Sequence, residues 1–383
     1  MVGSIPAPRE GLRKLWRFFT IYGPGRTLFK AAGRLRVRLP ALSWRRPVPD
    51  VALIGCGQFG FATIGYFLRS AFGSRLVACH DTDPRAAASL AHALRVPRVC
   101  NSTEELLAAP GLRTVYIASN HASHAGYAAL ALAAGHDVVV EKPVAVSRKQ
   151  LLELLRAKAV ARGRLFAGYN RPFAPAVRWL RQRTTMQAHE GITLQCFVSG
   201  HRLGPGHWYR RPEEGTRVCG NIGHWLDLMV HVFAWRGLPD RLRVNVTWAD
   251  VSEPDDNVSI AIASDRGDLF TVTLTSRSEP FEGIREVIHF QHGQTFAEIE
   301  DFRRATLWQG AARQRRRFWP KDVGHRRAVL QPFEATVARD WHEVELSTLL
   351  ILHITDMVRR LEPHSDFSFE RAWADLRRDL ETA

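Results

Sequence analysis

The sequence predicts an α/β chain with a doubly wound parallel sheet first, followed by an α+β domain with a large, mostly antiparallel open sheet. Between residues 51 and 170, short apolar strands alternate with helical patterns, the signature of a parallel sheet covered by helices. After residue 170, strands that alternate apolar and polar side chains follow one another without helices between them, as in antiparallel sheets. A length of 383 residues suits two or three domains.

In order, the first half reads as strands at 51–55, 75–80, 114–118, 137–140 and 164–168, with helices near 59–70, 84–94, 103–108, 123–134 and 147–161. Ser102 with Glu105, and Ser147 with Gln150, form capping boxes at two of those helices. The second half reads as strands at 192–199, 241–250, 257–263, 268–275 and 284–291, separated by turns such as Asp265-Arg266-Gly267 and His292-Gly293. One helix near 223–234 interrupts them; residues 340–361 look helical, and the last 20 residues suit another short helix. The resulting division is a basic arm at 1–48, a parallel-sheet domain at 49–170, a mostly antiparallel domain at 171–340, and a helical segment at 341–383.

Composition excludes several classes. Apolar residues at 45% and charged residues at 24% rule against bulk disorder and collagen. The five cysteines (Cys56, Cys79, Cys100, Cys196, Cys219) are odd in number and never spaced as CxxC, which argues against a disulfide framework and fits a reducing, cytoplasmic setting. No apolar run reaches the ~20 residues of a membrane span, and no signal-peptide core precedes the folded region.

The net charge of +15 is unevenly placed. Residues 1–50 hold 11 basic side chains against Glu10 and Asp50, so the arm carries most of the excess. Charge alone gives only nonspecific affinity for nucleic acid, and no recognition motif accompanies it. Within the arm, Leu12, Leu15, Trp16 and Phe19 stand at helical spacing among cations. That pattern suits either a peripheral membrane contact or packing against the protein or a partner, with Gly23, Pro24 and Gly25 expected to end the helix early.

Four motifs carry chemistry. The first is Gly55-Cys56-Gly57-Gln58-Phe59-Gly60, between an apolar strand and a helix. Gly55 suits a tight turn, Gly57 the approach of a pyrophosphate, and Gly60 close helix–strand packing, while the helix N-terminus favours phosphate. Asp81, at the end of the next strand, is placed to accept both ribose hydroxyls of NAD and to repel a 2′-phosphate; Arg85 nearby leaves NADP open. Together these read as a dinucleotide-binding Rossmann domain. The second is Ser119-Asn120-His121-Ala122-Ser123-His124, at a parallel-strand end where such sheets bind ligands, though a capped helix start explains it equally well. The third is Glu141-Lys142-Pro143, whose lysine could carry a proton as a hydride moves, or simply form an ion pair. The fourth runs from Gly215 to Asp227 and brings His224, Asp227 and His231 onto one helix face. A histidine at a helix start tends to stay neutral and can take a proton from an alcohol. No further ligand is placed by the pattern, so no metal is expected.

In this order and spacing the set resembles the Gfo/Idh/MocA family, from about residue 51 to about 335, supported by Asp81-Thr82-Asp83-Pro84 and Gly168-Tyr169-Asn170-Arg171. The resemblance implies an NAD(P)-dependent oxidoreductase that moves hydride to or from a carbon of a sugar, cyclitol or sugar nucleotide. It also implies assembly of copies through the open sheet. By the same resemblance, Lys142 and His224 are the proton-transfer residues. Ser119, Asn120, His121, His124, Glu141 and Pro143 shape the nicotinamide side, and Asn170, Arg171, Asn221 and Asp227 face the substrate. Many family dehydrogenases carry Asp four residues before the histidine; here that position is Gly220. That departure leaves the work to Lys142 and His224, or signals a changed reaction: an NAD-retaining epimerase or eliminase, or a non-catalytic dinucleotide-binding scaffold. The stretch from His207-Trp208-Tyr209 through Gly220-Asn221, and Lys321-Asp322-Val323-Gly324-His325, resemble a subgroup associated with bacterial surface polysaccharides. A second basic cluster (Arg313, Arg315, Arg316, Arg317, Lys321, Arg326, Arg327) suits either a diphosphate or anionic sugar, or a solvated loop.

Overall fold

A computed structural model describes residues 8–35, 37, 48–278, 283–334 and 338–382. Arg36, Arg38, Arg45 and Arg46 of the basic arm lie outside them.

The first sheet contains β1 (Val51–Ile54), β2 (Leu76–His80), β3 (Arg98–Val99), β4 (Thr114–Ile117), β5 (Asp137–Val140) and β6 (Leu165–Ala167), in the order β3-β2-β1-β4-β5-β6. All its pairings are parallel. Its strands are apolar throughout because both faces are covered. Ala52, Ile54, Val115, Ile117, Val138 and Val140 point into one core; Val51, Leu53, Tyr116 and Val139 point into another. The connecting helices are α2 (Tyr66–Phe72), α3 (Pro84–Leu94), α4 (Thr103–Leu107), α5 (His124–Ala133) and α6 (Arg148–Val160). Ser102 accepts from the Glu105 N–H and Ser147 from the Gln150 N–H, while the Glu105 and Gln150 side chains accept from the N–H groups of Asn101 and Val146, one residue before each cap rather than at the cap itself. The helix expected over 59–70 instead opens with a π-helical stretch, Gly60–Gly65, before α2.

The arm corrects one expectation. Gly23-Pro24-Gly25 does not end its helix: α1 runs Pro8–Leu35 and bends at Gly23 (φ 77°), where Pro24 restarts the helix at a position that needs no N–H. Beyond the bend α1 packs on the first domain. Phe29 meets Phe61 with centroids 5.0 Å apart, and a Cβ at Gly33 would lie 2.5 Å from the Phe61 ring.

Among the described residues the second sheet has nine strands, in the order β14-β13-β12-β11-β7-β10-β9-β8-β15. They are β7 (Ile192–Ser199), β8 (Arg241–Trp248), β9 (Val258–Ser264), β10 (Leu269–Thr275), β11 (Arg285–His292), β12 (Thr295–Glu300), β13 (Arg304–Gln309), β14 (Ala312–Arg317) and β15 (His364–Ser368). Only the β10–β7 pairing is parallel among those described. In β7 the apolar Ile192, Leu194, Cys196 and Val198 are covered by helices, while Thr193, Gln195 and Phe197 face outward. The associated helices are α7 (Pro175–Arg181), α8 (Gly223–Phe233), α9 (His325–Leu330), α10 (Trp341–Arg360) and α11 (Phe369–Glu381). The C-terminal segment adds β15 to this sheet's edge as well as two helices. The basic cluster is not one loop: Arg313, Arg315, Arg316 and Arg317 form the exposed edge strand β14, whereas Lys321 is buried against Asp301 at 2.6 Å.

Candidate active site

The strand order reverses between β1 and β4, which opens a crevice at the carboxyl ends of the strands. The loops after β1 and β4 flank it. Gly55 has φ +95°, and a Cβ there would lie 2.4 Å from the Ala118 backbone; one at Gly60 would lie 2.4 Å from the Gly55 carbonyl oxygen. Those two glycines are demanded by the turn itself. At Gly57 a Cβ would meet no protein atom within 4 Å. The fold leaves open space at the one glycine whose role in such a loop is to admit a pyrophosphate. Asp81 is half-buried behind the loop, accepting from the Cys56 N–H at 2.6 Å and the Asp83 N–H at 2.9 Å. Each carboxylate oxygen keeps a lone pair for a ribose hydroxyl. These residues fit a dinucleotide.

The loop after β4 is locked by a carboxylate from the second domain. Buried Glu214 accepts from Asn120 Nδ2 at 2.7 Å and from the Ala122 N–H at 3.1 Å. Its backbone carbonyl lies 3.1 Å from His121 Nδ1. His124 bridges to the next loop, with Nδ1 2.8 Å from the Pro143 carbonyl and Nε2 3.2 Å from that of Ser119. Burial pushes the His121 pKa down to about 2 and that of His124 to about 4, so both rings are neutral. Glu141 is buried against Gly168, and burial pushes its carboxyl up to about 7. Lys142 escapes this packing and donates from Nζ to the Gly220 carbonyl oxygen at 2.6 Å.

Gly220 belongs to a π-helical turn, Val218–Ile222, that runs straight into α8. His224 therefore sits inside a continuous helix, not at a free N-terminus. Its neutrality comes from burial first, then from the nearby positive charges of Arg171 and Lys142, which hold its pKa well below the usual histidine range. His224 Nδ1 is buried without a hydrogen-bond partner. A side chain at Gly220 has no room: a Cβ would lie 2.6 Å from His121 Cε1 and 2.7 Å from Tyr209 Cε2. The rings of Tyr209 and Trp208 pack on His121 with centroids 4.6 and 4.7 Å away. The space a carboxylate would take is filled by aromatic rings.

Three residues expected to face a substrate are engaged elsewhere. Asp227 is fully buried, gripped by Arg339 at 2.8 and 3.1 Å and by the Ser347 hydroxyl at 3.0 Å. Arg171 is buried in a two-pronged pair with Glu286 at 2.8 and 3.2 Å, over the Trp225 ring. Asn170 spends its amide on the Val323 carbonyl at 2.6 Å and its oxygen on Arg171 at 3.1 Å. Asn221 stays half-buried at the cleft, accepting from Arg217 Nε at 3.2 Å.

Sequence reasoning missed Glu214 and Tyr209 as site residues, and His325. His325 packs on Phe59 of the glycine loop, centroids 5.7 Å apart, and is held neutral by burial and by Arg26 and Arg171. The Lys321–His325 motif marked its position without its role; for Glu214 no local signal exists, because its partners lie more than 90 residues away.

Residues 50–169 match the family described as "Oxidoreductase family, NAD-binding Rossmann fold". The inositol 2-dehydrogenase of Acidothermus cellulolyticus is 33% identical over 191 residues, 48% of this chain and 53% of that protein. That of Burkholderia multivorans is 29% identical over 182 residues, 47% and 53% of the two chains. The chain thus spans about half the length of these relatives. Among solved structures, levoglucosan dehydrogenase in complex with NADH and levoglucosan superposes with a TM-score of 0.68 at 14% identity, covering 84% of this chain and 100% of that one. The WlbA dehydrogenase from Bordetella pertussis, in complex with NADH and UDP-GlcNAcA, gives 0.66 at 19% identity over 84% and 99%. These likenesses establish the two-domain fold.

Proposed function

From the premise that the chain belongs to the Gfo/Idh/MocA oxidoreductase family, we propose that it is an NAD-dependent oxidoreductase acting on a carbinol or ketone carbon of a sugar, cyclitol or sugar nucleotide. One observation carries this reading. Lys142, at the end of β5, donates from Nζ at 2.6 Å to the carbonyl of Gly220, in the helical turn that leads directly into His224.

The loop from Gly55 to Gly60 and Asp81 would hold the dinucleotide, with Ser119, Asn120, His121, His124, Glu141, Lys142 and Pro143 on its nicotinamide side. When bound, NAD supplies the hydride acceptor, and NADH the donor. The Lys142 ammonium orients the carbinol oxygen and stabilises negative charge developing on it. His224 is neutral, and with Nδ1 buried its Nε2 is the nitrogen left to take the hydroxyl proton. Asn221, fixed by Arg217, is the remaining polar group from this helical turn that can contact substrate. The outward face of the second sheet, with Phe197, Leu269 and Phe296 exposed, is the surface for a second copy.

Calorimetric titration with NADH and NADPH, followed by turnover with sugars and sugar nucleotides, tests the reading. NADH is expected to bind more tightly, because Asp81 repels a 2′-phosphate. Lys142→Met should keep NADH binding and lose roughly 10²–10⁴-fold in kcat. Wild-type turnover in that variant would overturn the mechanism. Product formed without net NADH would assign an epimerase or eliminase, and NADH binding with no turnover a scaffold.

A further inference from the structure

Two features of the chain take no part in the cleft: the outer turns of α1 and the arginine-bearing strand β14. They meet in space. Trp319, two residues after β14 ends, donates from its indole nitrogen to the Thr20 carbonyl at 3.0 Å, and the Lys321 N–H donates to that of Ile21 at 2.9 Å. From this junction α1 continues inward, with Ile21 and Phe29 buried and the Arg26 guanidinium 5.3 Å from the Phe67 ring centre. In the other direction its side chains turn to solvent. Leu12, Leu15, Trp16 and Phe19 are 71, 47, 67 and 37% exposed. Their spacing of i, i+3, i+4 and i+7 puts them on one stripe, and Trp16 stacks on Phe19 with centroids 5.6 Å apart. Arg13, Lys14 and Arg17 flank the stripe and are exposed.

Every residue of β14 is exposed, including Arg313, Arg315, Arg316 and Arg317, and the strand carries no acid. Trp319 beside it is 64% exposed. The combined surface is therefore strongly cationic and also offers an apolar stripe with two indoles. A nucleic-acid backbone would satisfy the cations and leave Leu12, Leu15 and Phe19 in water. A bilayer interface satisfies both, since apolar side chains enter the acyl boundary, indoles sit at headgroup depth, and cations meet anionic headgroups. No helix among the described residues is long and apolar enough to cross a membrane. The contact is in-plane.

We propose that the outer turns of α1, together with Trp319 and β14, form a peripheral docking surface for an anionic phospholipid bilayer. The test is co-sedimentation of the full chain with vesicles of phosphatidylcholine alone or mixed with phosphatidylglycerol. The protein should pellet with the mixed vesicles only, and less as salt rises, because screening shortens from about 10 Å at 0.1 M to about 3 Å at 1 M. At about five-fold per basic residue, Arg315→Ser/Arg316→Ser/Arg317→Ser should weaken binding roughly a hundred-fold. Leu12→Ser/Trp16→Ser should remove the part that survives high salt. All five positions are exposed, so NADH affinity is expected to stay unchanged and reports that the fold is intact. Pelleting independent of phosphatidylglycerol, or unaltered by both variants, overturns the proposal. So does a Leu12/Trp16 variant that dissociates a dimer while binding vesicles normally, which would make a second copy the occupant. Binding to a nucleic-acid duplex that is as tight as to vesicles and indifferent to Leu12 and Trp16 would reassign the surface to charge alone.

Discussion

The two walls of the cleft are built by different rules. On the first-domain wall, each candidate site stretch begins within two residues of its strand's end: residues 55–60 after β1, Asp81 after β2, 119–124 after β4 and 141–143 after β5. Parallel strands end at one edge of the sheet, so segments far apart in sequence converge there without special arrangement. The second-domain wall is assembled by single long-range contacts. Glu214 reaches Asn120 across 94 positions, Gly220 meets Lys142 across 78, and Asp227 meets Arg339 across 112. On that wall, whether a polar side chain is chemistry or scaffold depends on a partner its neighbours in sequence do not announce.

The sharpest test of that contrast is Asp227, the family-like acid that the fold uses as a strut. Removing one member of a buried ion pair leaves the other charged and unsolvated, at a cost of about 3–5 kcal/mol. Asp227→Ala strands Arg339, whose guanidinium side chain is 3% exposed and whose remaining anion is Glu343 at 3.3 Å. The urea midpoint should fall accordingly, while KM for the substrate, measured well below the transition, stays unchanged. An unchanged midpoint with a raised KM would make Asp227 a substrate ligand and erase the distinction between the walls.

The next effect is smaller and tests the other wall, where one motif divides into structural and ligand-binding glycines. Gly60→Ala drives a Cβ to 2.4 Å from a carbonyl oxygen and should cost about 1–3 kcal/mol in stability. Gly57→Ala meets no protein atom within 4 Å and should leave stability within about 0.5 kcal/mol, while weakening NADH roughly ten-fold or more. If both variants lose only stability, the loop is a turn and nothing more.

This division marks what the sequence could reveal. The parallel sheet was legible because double burial makes its strands uniformly apolar and its glycine loop has a fixed spacing. The strands β12, β13 and β14 were not. β14 is a run of exposed arginines, and its strand character comes from pairing with β13, which the local residues Arg313 to Arg317 do not advertise. Gly23-Pro24-Gly25 read as a stop because proline lacks an N–H, yet Pro24 opens a second helical segment whose partner, Phe61, lies in the first domain. Asn170 and Arg171 matched a family motif correctly as residues while their roles depended on Val323 and Glu286, more than 100 positions away. The position of Lys142 was legible because it follows β5 at the carboxyl edge of the parallel sheet, whatever the second domain does.

The smallest effect compares titrating groups packed together on the first wall. Unfolded His124 would protonate near 6.5 and folded His124 near 4, so between those values only the unfolded chain takes up the proton, and stability falls as pH falls. His121, His224 and His325 are likewise held below their usual range and act in the same direction. Glu141 opposes them. Its folded pKa of about 7 lies above its ordinary 4.5, so between these values the native state holds the extra proton and stability falls as pH rises. Each proton contributes at most about 1.4 kcal/mol per pH unit. With several histidines against one carboxyl, the urea midpoint should decline from pH 6.5 toward 4.5. His124→Asn can keep the Nδ1-side contact to the Pro143 carbonyl and should make that decline shallower by about one proton. Glu141→Gln, which cannot ionise, should make it steeper by about one. Equal slopes in all three proteins would mean that neither group is buried in a single charge state, and that the loops after β4 and β5 admit water where this packing excludes it.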